Sequence, residues 1–200
     1  GGWPMTVFMS PDAKPFFGGT YFPKPSFLQL MTAVTDVWEN RREDIDTNVD
    51  ALMQALQRSE FAEPANSVAD LSTVTSAVTH LVGGFDSEWG GFGAAPKFPS
   101  TMNIDLLLRS NATHPNAAAL NVSTTSLDAM ASGGIYDHLG GGFARYSVDR
   151  EWLVPHFEKM LYDQALLVRV YLHAYQVTQY PRYKQVVEET INYVLRDLTH

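Results

Sequence analysis

The chain has 200 residues, 45% hydrophobic and 18% charged, enough for one domain or two small ones with a hydrophobic core. Its net charge of -8 argues against a nucleic-acid partner, because phosphate binding rests on clustered Lys and Arg. It has no cysteine, which excludes disulfides, thiolate metal sites and thiol redox chemistry by these residues. No apolar run nears the ~20 residues that cross a bilayer, and no basic, hydrophobic leader opens the chain, so no membrane partner and a cytoplasmic location are the default expectations.

Residues 3–22 predict a β-hairpin. Met5–Met9 is a short apolar run, Ser10-Pro11-Asp12-Ala13 carries turn chemistry, and Phe16-Phe17 resumes the apolar run before Gly18-Gly19. From Phe27 to Leu56 an apolar stripe steps by three and four through Met31, Val34, Trp38, Ile45, Val49 and Leu52, with a polar gap at Arg41-Arg42. This is one long helix or two bent at the gap, and the arginine pair is read as a solvated face. Pro64 lies in a linker, placed at 61–69, between a first domain at 1–60 and a second at 70–200.

The second region reads as helices only, with no strand signal after Phe22. Leu71, Val74, Val78 and Leu81 mark a helix ended by Gly83-Gly84, Met102–Arg109 a second, and Ala117–Ala131 a weakly patterned third. Leu161–Tyr175 and, after Pro181, Tyr183–Leu198 repeat the 4-3-4-3 spacing. Two loops interrupt this series. FDSEWGGFGAAPKFPS follows Gly84, and the stretch from Ala131 to Leu167 is broken at Gly133-Gly134 and Gly140-Gly141-Gly142, each glycine costing ~1 kcal/mol in a helix interior. A loop that long with no evident pairing is functional or disordered, and its aromatics argue against disorder. Antiparallel helix hairpins with their long loops at one end gather those loops around one cleft.

The motifs GGWPMTVFMSPDAKPFFGGTYFP, GGFGAAPKFP and GGIYDHLGGGFARYSVDREWLVPHFEKMLYDQALL resemble the thioredoxin-domain-containing family that includes the spermatogenesis-associated thioredoxin-like proteins. The resemblance covers essentially the whole chain. It implies a mixed fold: the C-terminal part of a thioredoxin-like α/β domain, then an all-α region similar to the first hairpins of an (α/α)6 toroid of the six-hairpin glycosidase and sugar epimerase kind. It further implies that Pro4 is the cis-proline of the thioredoxin-like fold and that the family's Cys-x-x-Cys lies upstream of residue 1. The chain is then an internal fragment, inactive by itself, whose apolar faces are covered by the rest of its own chain or by self-association.

Under this resemblance Asp137 and Glu158 lead the acid/base candidates, since glycosidic cleavage uses two carboxyl groups, one protonated and one ionised. Their plain alternatives are a side chain bonding its own loop backbone and a carboxylate near a helix N-terminus. Asp163 is a third candidate, with a surface ion pair to Lys159, four residues earlier, as the simpler account. His138 and His156 are candidates because histidine titrates near neutrality. Asp86 and Glu88 offer partner carboxylates from the other loop, against a solvated turn as the alternative. Trp89, Tyr136, Tyr146 and Trp152, with Phe92 and Phe143, offer faces to sugar rings or merely pack the loops. No metal or cofactor is expected: His156-x-Glu158 lacks the cysteines of a zinc deaminase, and Gly91-x-Gly93 lacks the strand and spacing of a dinucleotide fingerprint. The function expected of the intact protein is carbohydrate binding or acid-base action on a carbohydrate. Thiol-disulfide exchange through upstream cysteines and a noncatalytic binding scaffold are the alternatives.

Overall fold

A computed structural model describes residues 4–60 and 70–199, and the chain divides into two compact units, Gly1–Val68 and Ala69–His200. The linker expected at 61–69 and the Trp3–Pro4 bond lie outside the described residues.

In the first unit β1 (Thr6–Met9) and β2 (Pro15–Gly19) form an antiparallel hairpin pairing Phe8 with Phe17 and Met9 with Pro15, with a register shift between Phe8 and Met9. Ala13 takes φ 59° in the turn, where Ser10 N donates to Lys14 O at 2.8 Å and Lys14 N to Ser10 Oγ at 3.2 Å. Two helices follow, α1 (Lys24–Asn40) and α2 (Arg42–Glu60). The break falls at Arg41, whose φ of -139° leaves the helical region. Arg41 pairs with Asp36 at 3.2 Å, while the Arg42 guanidinium lies 3.4 Å from the Trp38 ring centroid, so the basic pair flanks the bend. The unit's core is small: Phe16, Ile45 and Val49, backed by Phe8, Val34, Val37, Trp38 and Met53. Although α1 carries the expected stripe, none of its residues is fully buried.

The second unit has five helices among the described residues: α3 (Leu71–Gly83), α4 (Thr101–Thr113), α5 (Ala117–Ser132), α6 (Leu161–Thr178) and α7 (Pro181–Asp197). Asp70 caps α3 by accepting from the Ser72 and Thr73 amides. The turn between α4 and α5 is held by side chains: Asn116 N donates to Asn111 Oδ1 at 2.8 Å, and Asn116 Oδ1 accepts from Ala119 N at 3.0 Å. Between α6 and α7 the chain reverses at Gln179, at φ 58°, and Pro181 opens α7, where its missing N–H has no partner to lose. The weak apolar pattern of α5 has a physical reason. Ser123 and Ser126 are fully buried, their hydroxyls donating to Ala119 O and Val122 O, so small polar residues take positions where the pattern looks for leucines.

The main core joins Ile104, Leu108, Leu127, Met130, Leu167, Val170, Tyr171 and Tyr183 of the helices to Ile135, Phe143 and Trp152 of the long loop, and a second cluster holds Val78, Leu107, Ala119 and Val122. The loops are thus built into the core. They also carry pairing that the sequence did not reveal, the isolated bridges Phe85–Phe92, Lys97–Ser147, Tyr136–Phe143 and Ser147–Pro155. Among the described residues no helix is long and apolar enough to cross a membrane.

Candidate functional site

The loop between α3 and α4 and the loop between α5 and α6 meet through the segment Arg145–His156. Lys97 and Ser147 exchange two backbone bonds at 2.8 and 2.9 Å, and Gly134 N donates to Trp152 O at 2.7 Å. Trp152 is the wedge: it is 1% exposed, takes φ 66°, and donates its indole N–H to Trp89 O at 3.0 Å. Its close fit requires glycine on both sides. A Cβ on Gly91 would stand 2.6 Å from Trp152 Cζ2, and one on Gly133 would stand 2.6 Å from Trp152 O. Trp152, expected as a stacking platform, therefore offers no face to a ligand.

Asp86 organises this junction rather than a solvated turn. Its side chain is 5% exposed, and its carboxylate accepts from Lys97 Nζ at 2.7 Å and from Arg150 at 2.7 and 2.8 Å, as well as from the Glu88 and Trp89 amides. Burial works against its charge, but the Arg150 and Lys97 hydrogen bonds outweigh it and hold the carboxyl well below the usual range. Glu88 is exposed and binds Arg150 Nη1 at 3.0 Å.

Asp137 stands in the other loop with similar bonds and more solvent. Leu139 N and Gly140 N donate to Oδ1 at 3.0 and 2.9 Å, and Lys159 Nζ reaches Oδ2 at 2.8 Å. The Gly140 amide first, and then Lys159, hold its carboxyl well below the usual range. The ion pair expected between Lys159 and Asp163 is not formed: Lys159 turns back to Asp137 and Gly141 O and lies 4.2 Å from the Tyr193 ring centroid. Asp163 is left half-buried with Oδ2 lacking a hydrogen bond, and desolvation pushes its carboxyl up to about 6.

An open cleft of about 680 Å³ lies along the second loop, walled by Tyr136, Asp137, His138, Lys159 and Tyr193 together with Leu139 and Phe157. Tyr136 donates its hydroxyl to the Glu189 carboxylate, and burial first, then that bond, raises its pKa. Tyr136 and His138 meet edge to face at 5.3 Å. His138 Nε2 lies 3.0 Å from Gly133 O, which can only accept, so Nε2 carries the proton. Nδ1 has no hydrogen-bond partner among the described residues.

The five residues expected to be catalytic therefore fall into two groups. Asp137 and His138 share the cleft. His156, Glu158 and Asp163 form a second group outside the cleft walls: His156 stacks on Tyr146 at 4.6 Å, while Glu158 Oε2 lies 3.3 Å from His156 and 3.5 Å from Arg145, whose charge also reaches Asp163. Trp89 lines a separate groove of about 480 Å³ with Glu88, Asp128 and Glu151. Lys159 and Tyr193 in the cleft wall, and Arg182, Gln185 and Glu189 in an adjoining cavity outside it, were not singled out from sequence as lining residues. Arg182, Gln185, Glu189 and Tyr193 step by three and four along α7, a helical face legible in principle. No group of three His, Cys, Asp or Glu is placed to hold a metal among the described residues.

The family model Thioredox_DsbH, described as a protein of unknown function, DUF255, matches residues 1–57. Over its whole length the chain is 39% identical to spermatogenesis-associated protein 20 of Rattus norvegicus. It spans 27% of the rat protein's length, and 28% of an uncharacterized Caenorhabditis elegans protein to which it is 35% identical over 97% of the chain. Cellobiose 2-epimerase from Spirochaeta thermophila shares the fold at a TM-score of 0.53 and 18% identity, over 62% of this chain and 36% of that one. The fold class is accordingly mixed: a two-stranded antiparallel hairpin with two helices in the stretch matched by the thioredoxin-like family model, then an all-α region, with an (α/α)6 toroid among the structures that share the fold.

Proposed function

We propose that the helical unit binds carbohydrate in the cleft beside Tyr136, and that the full-length protein acts on that sugar through proton transfer by His138. The observation that carries this reading is the cleft itself. It sets the exposed ring of Phe157, with the mostly buried Tyr136 and Tyr193 in the wall behind, beside the polar groups of Asp137, His138 and Lys159, a pairing suited to a ring with one apolar side and hydroxyl edges.

The chemistry of the walls favours histidine over a carboxyl pair. Glycoside hydrolysis needs one carboxylic acid protonated near neutral pH, whereas Asp137 is held ionised and is the one acid among the described residues lining the cleft. His138 has its Nε2 proton anchored on Gly133 O and a lone pair on Nδ1 to receive a proton. Asp137 and Lys159 act as a fixed dipole beside it. The likeness to an epimerase fold is consistent with this choice.

The test uses the full-length protein and a panel of mono- and disaccharides. Calorimetry is expected to detect binding of at least one sugar, and NMR in D2O to detect deuterium entering it. His138→Asn should abolish the exchange while binding persists. No binding to any sugar would sink the reading, and exchange that survives in His138→Asn would remove the histidine's role. The match of residues 1–57 to a thioredoxin-like family supports a second reading, thiol-disulfide exchange. It would need cysteines outside this cysteine-free chain, and insulin reduction by the full-length protein tests it.

A further inference from the structure

Every lysine and arginine of residues 70–199 lies within 4.0 Å of a carboxylate, with one exception. The exception is Arg182. Its Nη2 donates to two neutral acceptors, Ala131 O at 2.8 Å and Ser132 Oγ at 3.1 Å, which fix the guanidinium at the C-terminal end of α5. Nε and Nη1 have no partner among the described residues. Arg182 lines a cavity of about 480 Å³ with Tyr180, Gln185 and Glu189, and that cavity shares Tyr136 and His138 with the main cleft.

The acid in this cavity does not neutralise the arginine. Glu189 stands seven residues on, roughly 10 Å along the helix at 1.5 Å per residue. Its carboxylate is engaged by the Tyr136 hydroxyl and by Gln185 Nε2 at 2.8 Å. In a chain of net charge -8, a guanidinium held by neutral groups with part of its fork unoccupied is set to receive an anion from outside.

We propose that the Arg182 cavity is a subsite for an anionic group, a carboxylate or phosphate, carried by the saccharide seated in the adjoining cleft. This rests on the carbohydrate reading above and narrows it to acidic sugars. The planar fork accepts two anion oxygens side by side, and the Gln185 amide and His138 border the same space.

The experiment titrates the full-length protein with glucose, glucuronic acid, glucose 6-phosphate and inorganic phosphate, in the wild type and in Arg182→Gln and Arg182→Lys. The wild type should bind at least one acidic sugar about tenfold or more tighter than glucose, the effect of one charged hydrogen-bonded pair. Arg182→Gln should erase that preference and leave glucose binding unchanged, and Arg182→Lys, which keeps the charge without the fork, should keep part of it. Thermal melts of both variants check the α5 contact; if Arg182→Gln does not fold, an undiminished preference in Arg182→Lys overturns the bidentate subsite. Equal wild-type affinity for glucose and both acidic sugars, or a preference that survives in Arg182→Gln, also overturns it. Phosphate binding lost in Arg182→Gln with no sugar bound would uphold the anion subsite and sink the carbohydrate reading. No binding of any probe would sink both.

Discussion

The loops Phe85–Phe92 and Tyr136–Phe143 share one plan: an aromatic, an aspartate, three residues, two glycines and a phenylalanine. In each the terminal aromatics form a β-bridge, the aspartate amide donates to the carbonyl of the second glycine at 2.9 Å, and the first of those glycines donates back to the aspartate carbonyl at 2.8 or 2.9 Å. In each the carboxylate caps its own turn and takes a lysine from further along the chain, Lys97 or Lys159. They differ in what lies across them. Arg150 covers the first loop, leaving Asp86 5% and Lys97 0% exposed, whereas Asp137 and Lys159 are 38% and 23% exposed beside the cleft. The same backbone device thus serves as internal joinery in one place and as a cleft wall in the other.

That contrast is sharpest in the two lysines. Lys97→Met removes the fully buried one of the two cations that hold the Asp86 carboxylate, leaving Arg150 in place, and is expected to destabilise the unit by about 2–3 kcal/mol. Lys159→Met, at a pair that water reaches, should destabilise it by about 1 kcal/mol or less. Urea midpoints measure both, and equal effects would break the comparison. The loop-closing phenylalanines give a second ratio. Phe143 is fully buried between Tyr136 and Tyr171, so Phe143→Ala should destabilise by about 3–5 kcal/mol, and the half-buried Phe92 by roughly half as much.

Acid should expose the aspartates. Both carboxyls are depressed in the folded state, so their stabilisation is present above about pH 4 and is lost as pH falls from there through the folded-state values. Asp137→Asn is expected to be less stable than wild type by about 1 kcal/mol at pH 7, a gap that narrows steadily as pH falls below about 4. Asp163 has the opposite sign. Pushed up to about 6, it binds its proton more tightly when folded, so its ionisation destabilises the fold as pH rises through that value. Asp163→Asn should therefore gain up to about 1 kcal/mol at pH 8 and nothing at pH 4, given its partial solvent contact. Unfolding curves at the two pH values decide it.

Much of the architecture was legible residue by residue. The hairpin followed from Ser10-Pro11-Asp12-Ala13 between apolar runs, and the stripes of α6 and α7 from their 4-3-4-3 spacing, because these signals are local. The site was less legible. Asp137, His138 and Tyr136 stood out by composition, but Trp152 looked like a sugar platform and is a buried wedge, and Asp163 looked like the partner of Lys159, which turned instead to Asp137. The likeness of the two loops is legible in the sequence as a shared content of acids, aromatics and glycines, but the eight-residue plan appears as a repeat only when the bridging aromatics and capping aspartates are matched position by position.

By itself the amino-acid sequence determined the elements: periodicity sets which face of a helix is apolar, and glycine, proline and aspartate set where a helix must stop. The tertiary structure alone decided which charges meet. Lys97 could have been solvated and Arg182 paired, and nothing local distinguishes them. Only the packing of Arg150 and Trp152 over one loop, and of α7 beside the other, settles which carboxylate is sealed from water and which arginine is left facing a cavity.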